Sequence, residues 1–476
     1  MTAQPETAAG AADLAAEPMQ QLSLSTSAAR NLATTTKTAP QMAGITSRWL
    51  LRQLPWVSLS SGTFRVNRRL SLRRGRGRVS FVQTGANVDI VPETLVEIPV
   101  LRGYQDVEVL ERLARLFIPR EFGVGDTIVE EGQRVQEAFI LAHGRLERIT
   151  TGTYGDRELL GVLTDGDHLG DEALQQTDPL WTATVKAVTA GTIMVLQWPE
   201  FTHLMQQSAS LRTQIETFMS NADRRVNSKG EAVIDLSSGH QGEPQIPGTF
   251  VDYELAPREY ELSLAQTVLR VHTRVADLFN DPMNQVEQQL HLTIEEMKEQ
   301  QEWEMVNNRD FGLLYNTEYD QRFATHAGPP TPDDMDELLT MRRGTNLLFA
   351  HPKAIAAFLR ECNHRGLVPE TVEAVGGKRI VTWRGVPLYP LSKIPVSDHQ
   401  TSSIIGMRTG EDDEGVIGLR PKAIPDEIEP GLNARFMSVD EHAIMSYLVT
   451  AYYSVAVLVP DAIGIMEHVD VAGPRG

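Results

Sequence analysis

The chain has a single cysteine, Cys362, among its 476 residues. That excludes an intrachain disulfide and any cysteine-rich metal site, and it fits a reducing cytoplasm. No basic segment followed by an apolar run opens the sequence, so no signal peptide is expected. Long apolar runs are scarce as well. The most apolar stretch, Ala443 to Val459, is interrupted by Ser446, Tyr447, Thr450, Tyr452, Tyr453 and Ser454 and stops at Pro460-Asp461. It falls short of the ~20 residues that a membrane span needs, reads as a buried helix or strand, and leaves no membrane partner expected. Catalytic signatures are missing too. There is no Gly-x-Ser-x-Gly, no Walker loop and no His-Glu-x-x-His, and Gly376-Gly377-Lys378 lacks the spacing of a phosphate loop. The histidines His240, His272, His291, His351 and His364 fall at no metal-ligand spacing, so no catalytic and no metal residues are assigned.

What is present is a large soluble-type composition, 41% hydrophobic and 22% charged, long enough for two or three domains. The formal net charge is -19. Within this acidic chain, residues 46–105 form a cationic stretch, with ten arginines against Asp89, Glu93 and Glu97. An acidic body repels a phosphate backbone, so the basic stretch points to self-association and no nucleic-acid partner is expected.

Residues 1–40 are rich in Ala, Thr, Ser and Gln without aromatics, and read as an arm that is disordered or ordered only against a partner. Thr46 to Leu54 reads as a short helix stopped by Pro55. Thr63 to Val82 alternates apolar residues with arginines around Gly75 and Gly77, and reads as a β-hairpin. Val107 to Leu116 reads as a helix, followed to Trp198 by short strands punctuated by glycine, and Pro199 to Met219 as helix again. Residues 227–250 are linker-like. Asp281 and Pro282 look like the N-cap and first position of a long helix. Its stripe is Met283, Val286, Leu290, Ile294, Met297 and Met305. Farther on, Pro352 to Arg360 reads as a helix and Arg379 to Leu388 as a hairpin. Glu411-Asp412-Asp413-Glu414-Gly415 reads as a solvated turn, since its spacing is not that of an EF-hand loop.

The densest pattern lies in the middle. Phe122-Gly123-Val124-Gly125-Asp126 opens it, Ala142-His143-Gly144-Arg145 follows, and Asp165-Gly166-Asp167-His168-Leu169-Gly170-Asp171 comes next. Glycines at successive strand ends suit a small antiparallel roll. The segment resembles the cyclic-nucleotide-binding domain of bacterial cAMP receptor proteins and of protein kinase A regulatory subunits. In that family a glycine-led turn opens a short helix whose amides face the cyclic phosphate, a carboxylate takes the ribose hydroxyl, and an arginine neutralises the phosphate. Gly170 matches the glycine, Asp171 the carboxylate, Ala173 and Leu174 the turn, and Thr182 and Ala183 the small hydroxyl-bearing end. Trp181 stands where the arginine belongs. Losing a buried charge-assisted partner costs roughly 2–5 kcal/mol, so cAMP or cGMP is a doubtful ligand and no cofactor is required.

The order of parts carries a second resemblance. Ser25 to Ala43 with Ser47-Arg48-Trp49-Leu50 resembles an extended N-terminal arm and the helix after it. Arg65 to Phe81, with Val251-Asp252-Tyr253 returning, resembles an extended loop. Gln266 to Asn308 resembles a peripheral-domain spine, and Phe349-Ala350-His351-Pro352 onward an axial domain. Together these resemble encapsulin shell proteins of family 2B, whose fold is that of tailed-phage major capsid proteins. The fold class implied is α+β, with a cyclic-nucleotide-binding-type β-roll inserted. Under this resemblance the arm is 1–45, the start of the shell domain 46–105, the insertion 106–226, and the linker with the loop's return 227–262. The spine segment is then 263–325, the axial domain 326–433 and the C-terminal peripheral segment 434–476. The resemblance implies a cytoplasmic nanocompartment, not an enzyme, a homo-oligomer of about sixty subunits in closed symmetry. It also implies an enclosed cargo enzyme of terpene cyclase or polyprenyl transferase type. The competing expectation is a cyclic-nucleotide-responsive regulatory protein.

Overall fold

The computed structural model describes residues 38–70, 78–84, 87–152, 156–171, 179–222, 227, 231–236, 248–249, 251–254, 257–278, 284–326, 328–374 and 377–473. Most of the expected arm, Gly75 and Gly77, Ala173 and Leu174, His240, and the expected helix start at Asp281-Pro282 lie outside the described residues. The chain divides into two compact units. One comprises Leu264–Met297, Ile424–Ala451 and the described residues up to Ile45; the other comprises Thr46–Ser263, Lys298–Ala423 and the chain from Tyr452 on. The C-terminal segment 434–476 is thus shared between the two.

In the larger unit a seven-stranded sheet runs in the order Arg322–Ala324, Ile463–Asp470, Thr401–Met407, Leu347–Ala350, Val386–Pro390, Arg379–Trp383, Thr371–Glu373. Leu347 to Ala350 are all buried, as a continuous apolar strand in mid-sheet requires. The expected hairpin is present: Trp383 faces Val386 across Arg384-Gly385, both at positive φ, the geometry a tight two-residue turn demands. Two helices cover the sheet. Pro332–Thr340 starts with a Thr331/Asp334 capping box, and Pro352–His364 is capped by His351. Their residues Met335, Leu338, Ala354, Phe358 and Cys362 pack against Leu348, Ile404, Met466 and Val469.

The long helix runs Gln285–Asn307. The Asn284 side chain caps it, accepting the amides of Val286 at 3.1 Å and Glu287 at 3.2 Å. Ile294, Met297 and Met305 of the stripe are buried. In the larger unit, this helix also buries two carboxylates that periodicity does not reveal. Glu299 accepts the Thr46 amide at 2.8 Å and pairs with Lys393 at 2.8 Å. Glu302 accepts the Leu50 amide at 3.0 Å. Leu50 lies in the first turn of the helix Trp49–Gln53, whose own cap residue offers no side-chain bond. Glu302 therefore satisfies an amide that the short helix leaves orphaned. Trp49 is buried with its ring 5.0 Å from that of Tyr389.

One expectation fails. Thr63 to Val82 is not a hairpin. Thr63–Val66 pairs with Arg258–Glu261, and Phe81–Thr84 pairs with Asn87–Ile90. The extended loop is built by the return of the chain after the insertion: Leu70 donates to Asp252 and Glu254 to Arg68, each at 2.9 Å, and Arg69 faces Tyr253. Local alternation identified the strand but not its partner, which lies far along the chain. The apolar stretch near the C-terminus is the strand Ile444–Val457. Its second half pairs with Val416–Leu419, which in turn runs beside Trp56–Leu59; a Cβ on Gly418 would stand 2.8 Å from the Trp56 ring. In the smaller unit its first half pairs with Leu432–Val439.

Burial, with Glu299 as a like-charged neighbour, pushes the Glu302 carboxyl up to about 7, although the Leu50 amide and Lys393 oppose this. The unfolded chain releases that proton near 4.5, so between these values the folded state holds more protons and stability falls as pH rises. Glu302→Gln keeps an acceptor for Leu50 and removes the charge. Its thermal unfolding at pH 8 is expected to show a gain on the order of 2 kcal/mol over the parent, shrinking towards zero near pH 4.5. A gain independent of pH would contradict this account.

Candidate functional site

The inserted module is a roll of two four-stranded sheets. One orders His168–Leu169, Glu137–His143, Gly191–Gln197, Ile118–Phe122; the other Thr127–Val129, Thr184–Ala187, Leu146–Thr151, Arg157–Leu163. Side chains alternate along Glu137–His143 as a strand dictates. Phe139 and Leu141 enter the roll's core with Leu146, Val185 and Ile193, while Ile140 and Ala142 join the core beneath the flanking helices. Those helices are Val107–Leu116, capped by Asp106, then Trp198–Gln207 and Ala209–Ala222. The expected single helix from Pro199 to Met219 is interrupted at Ser208, whose hydroxyl accepts the Leu211 amide at 3.2 Å.

Of the residues proposed for nucleotide contact, Gly170 and Trp181 are brought together, but not to make a pocket. Gly170 sits at φ +95°, and a Cβ there would meet the Glu137 carbonyl at 2.8 Å and the Trp181 ring at 3.2 Å. The indole is 7% exposed and lies 5.7 Å from the Phe139 ring centroid. Its backbone is pinned on both sides, donating to Gln133 and accepting from Gly132, each at 2.8 Å. Trp181 is therefore a core residue packed against the glycine that would lead the phosphate turn. Ala183 is buried beside it in sequence, and Thr182 is exposed.

Asp171 is also committed. Its Oδ1 lies 2.9 Å from Nδ1 of His168. Burial works against the Asp171 charge, yet the His168 partner outweighs it and holds the carboxyl below its usual range. The sequence contained the signal, His168 and Asp171 three residues apart, but the reading gave His168 no role. A cavity of about 40 Å³ lies beside this pair, lined among others by Leu169, Trp198 and Phe201. That suits a water molecule; small-ligand pockets run to several hundred Å³. A larger cleft of about 530 Å³ lies at the base of the extended loop, away from these residues, and is lined by Arg68, Arg69, Glu231, Glu254, Arg343 and Asp461. Its charges largely answer one another: Arg69 pairs with Glu231 and Arg343 with Asp461, each at 3.5 Å.

The charged residues that matter most were missed. Arg78 pairs with Asp167 of the module at 3.0 Å and with Glu467 of the seven-stranded sheet, which Arg322 also holds at 2.7 Å. The Val79 amide donates to Gly166 at 3.3 Å, and a Cβ on Gly166 would collide with Arg78 and Val79 at 2.7 Å. Gly166 thus serves the seat of the module rather than a ligand. Burial raises the Asp167 pKa while Arg78 opposes it; at Glu467 burial is outweighed by Arg78 and Arg322, which lower it. The arrangement locks the module to the sheet and offers no nucleophile or acid–base pair. Among the described residues no group of three or more His, Cys, Asp or Glu could hold a metal, and no helix is long and apolar enough to cross a membrane.

Residues 219–473 match the profile of the SrpI-like type 2A encapsulin shell proteins. The chain belongs to this family. It is 46% identical over 249 residues to the type 2A encapsulin shell protein SrpI of Synechococcus elongatus, covering 52% of this chain and 81% of that one. It is 45% identical over 258 residues to the type 2A shell protein of Mycobacterium leprae, covering 54% and 83%. The structure of the holo-SrpI encapsulin complex from Synechococcus elongatus superposes with a TM-score of 0.54 at 28% identity, covering 95% of this chain and 99% of that one. Residues 119–208 match the cyclic nucleotide-binding domain profile. The encapsulin expectation is borne out, with a correction. The matching family is type 2A, whereas the inserted module pointed to 2B; the match rests on the shell portion from residue 219 on. These relatives are named as shell proteins, not enzymes.

With Trp181 in the core, titration calorimetry of the parent with millimolar cAMP or cGMP is expected to give no binding heat. Trp181→Ala is expected to cost about 3–5 kcal/mol of module stability, as removal of a buried indole does. Separately, Arg78→Ala is expected to cost roughly 3–5 kcal/mol by stranding Asp167. The measurable sign is faster proteolysis between residues 107 and 222 with the seven-stranded sheet still protected.

Proposed function

We propose that the chain is the repeating subunit of an icosahedral encapsulin nanocompartment of about sixty copies in closed symmetry. In this reading it encloses an enzyme and carries its cyclic-nucleotide-type module as a fixed part of the subunit. Membership of the shell family supports the first part. The observation that carries the second is Trp181, buried against Gly170 where a phosphate-binding arginine would stand. A ligand can shift an equilibrium only through differential contacts, and a module with its phosphate position filled and its carboxylate paired has few to offer. The cargo class we put forward is a terpene cyclase or polyprenyl transferase; the support for it is the cyclic-nucleotide-type module, which lies outside the segment matched to the type 2A profile.

Size-exclusion chromatography with light scattering is expected to give megadalton particles, and negative-stain microscopy uniform closed spheres. A discrete dimer would overturn the shell reading, and a cyclic-nucleotide-dependent change in mass would favour a regulator instead. Mass spectrometry of particles isolated from the native cell is expected to return a terpenoid enzyme; an unrelated enzyme inside would refute the cargo assignment alone.

A further inference from the structure

Within the smaller unit, the strand Leu432–Val439 is laid bare from Arg435 on. Every residue from Arg435 to His442 is exposed. Successive strand residues point to opposite faces, so five exposed strand residues in a row, Arg435 to Val439, mean that neither face is covered. Phe436, Met437 and Val439 are each more than half exposed, at 52%, 53% and 51%. The outer edge is also open. Glu427–Glu429 pairs only with Leu432 and Asn433, and the Ala434 amide goes to Asp426; beyond that, no partner strand lies along the edge among the described residues. Proteins guard such edges with Lys, Pro or bulges. Here Phe436–Val439 holds no Lys and no Pro, and one irregularity of register falls at Met437. Phe436 stacks edge-on with Tyr447 of the neighbouring strand at 5.6 Å, which makes an apolar ribbon exposed on both sides. A ribbon of this kind has little stability alone.

The same unit offers a complementary surface. The strand Ser263–His272 lies on the other side of Ile444–Val457, as the Thr273 amide on Ala443 and Gln266 on Thr450 show. Leu264 and Val268 on it are 49% and 44% exposed. Arg270 on it and Arg274 in the helix Thr273–Leu278 that follows are exposed, and the ribbon ends in the exposed acids Asp440 and Glu441. The two surfaces thus carry matching exposed apolar residues, and the charge at the ribbon's end has its opposite on the other surface.

We propose that the ribbon Arg435–Tyr447 of one copy docks on the strand Ser263–His272 of a second copy of this chain. The contact is heterologous, ribbon to strand, so each copy offers both halves and successive copies close a ring. The proposal rests on the shell-subunit reading and assigns the surface through which copies meet.

Two experiments on the full chain test it. The double variant Phe436→Lys/Val439→Lys is compared with a control, Leu159→Lys/Leu160→Lys, which charges exposed leucines on the module. With circular dichroism unchanged, the ribbon variant is expected to lose at least about ten-fold of its assembled mass by light scattering, as loss of central apolar anchors does. The control is expected to assemble like the parent. Parent-like assembly of a folded ribbon variant overturns the proposal. For the second, chains with Met437→Cys and chains with Val268→Cys are co-expressed; the native Cys362 is buried. Oxidation is expected to give a two-chain band on denaturing gels only when both variants are present. Its absence overturns the proposed partner surface. If the parent forms only small oligomers the shell reading fails, and the cross-link within those oligomers still decides the interface.

Discussion

An insertion can be carried by a fold only if its two ends are held together. Here that constraint is met by four residue pairs. Thr63–Val66 runs antiparallel to Arg258–Glu261, and the chain continues in step through Arg68, Leu70, Asp252 and Glu254. Everything between them leaves and returns along one ladder. Closing so long a loop costs little more than closing a shorter one, because the entropic penalty grows only with the logarithm of its length. The sheet on one side and the roll on the other therefore keep separate cores, one around Phe358 and Met466 and one around Phe139 and Leu141.

A ladder alone would leave the module to swing. The second clamp is electrostatic: Arg78 stands between Asp167 and Glu467, with Arg322 completing the neutralisation. All four groups would be costly to bury singly, and together they answer one another. Gly166 is needed for close approach to Arg78 and Val79. Trp181 and Asp171 are likewise engaged within the module. One packs against Phe139, and the other pairs with His168. The module matches the cyclic nucleotide-binding domain profile, and its Gly170, Trp181 and Asp171 serve packing and internal ion pairing.

Legibility followed the distance over which the signal acts. Val107–Leu116 and the hairpin at Arg384-Gly385 rest on local spacing and were readable, whereas Ile444–Val457 was legible as buried but not as strand rather than helix. The apparent hairpin of Thr63 to Val82 was misread because alternation marks a strand without marking its partner. The two-helix break at Ser208 was missed, since a hydroxyl that bonds Leu211 looks in sequence like any tolerated serine. Of the candidate site, Gly170 and Trp181 could be picked out by spacing, but whether the indole faced a ligand or the core depended on Phe139 and the backbone of Gln133.

The sequence by itself determined many of the elements, the presence of a glycine-punctuated roll, the absence of catalytic and metal signature motifs, and a tryptophan at position 181. These follow from spacing and residue type, which act within a few turns or strands. Only the tertiary structure decided what each charge and ring is for. Glu302 meets Leu50 across 252 residues, and Arg78 meets Glu467 across 389. A carboxylate on a helix face looks alike in sequence whether it faces water or a buried amide. Burial and partner, which set its charge and its cost, exist only once the chain has brought those residues together.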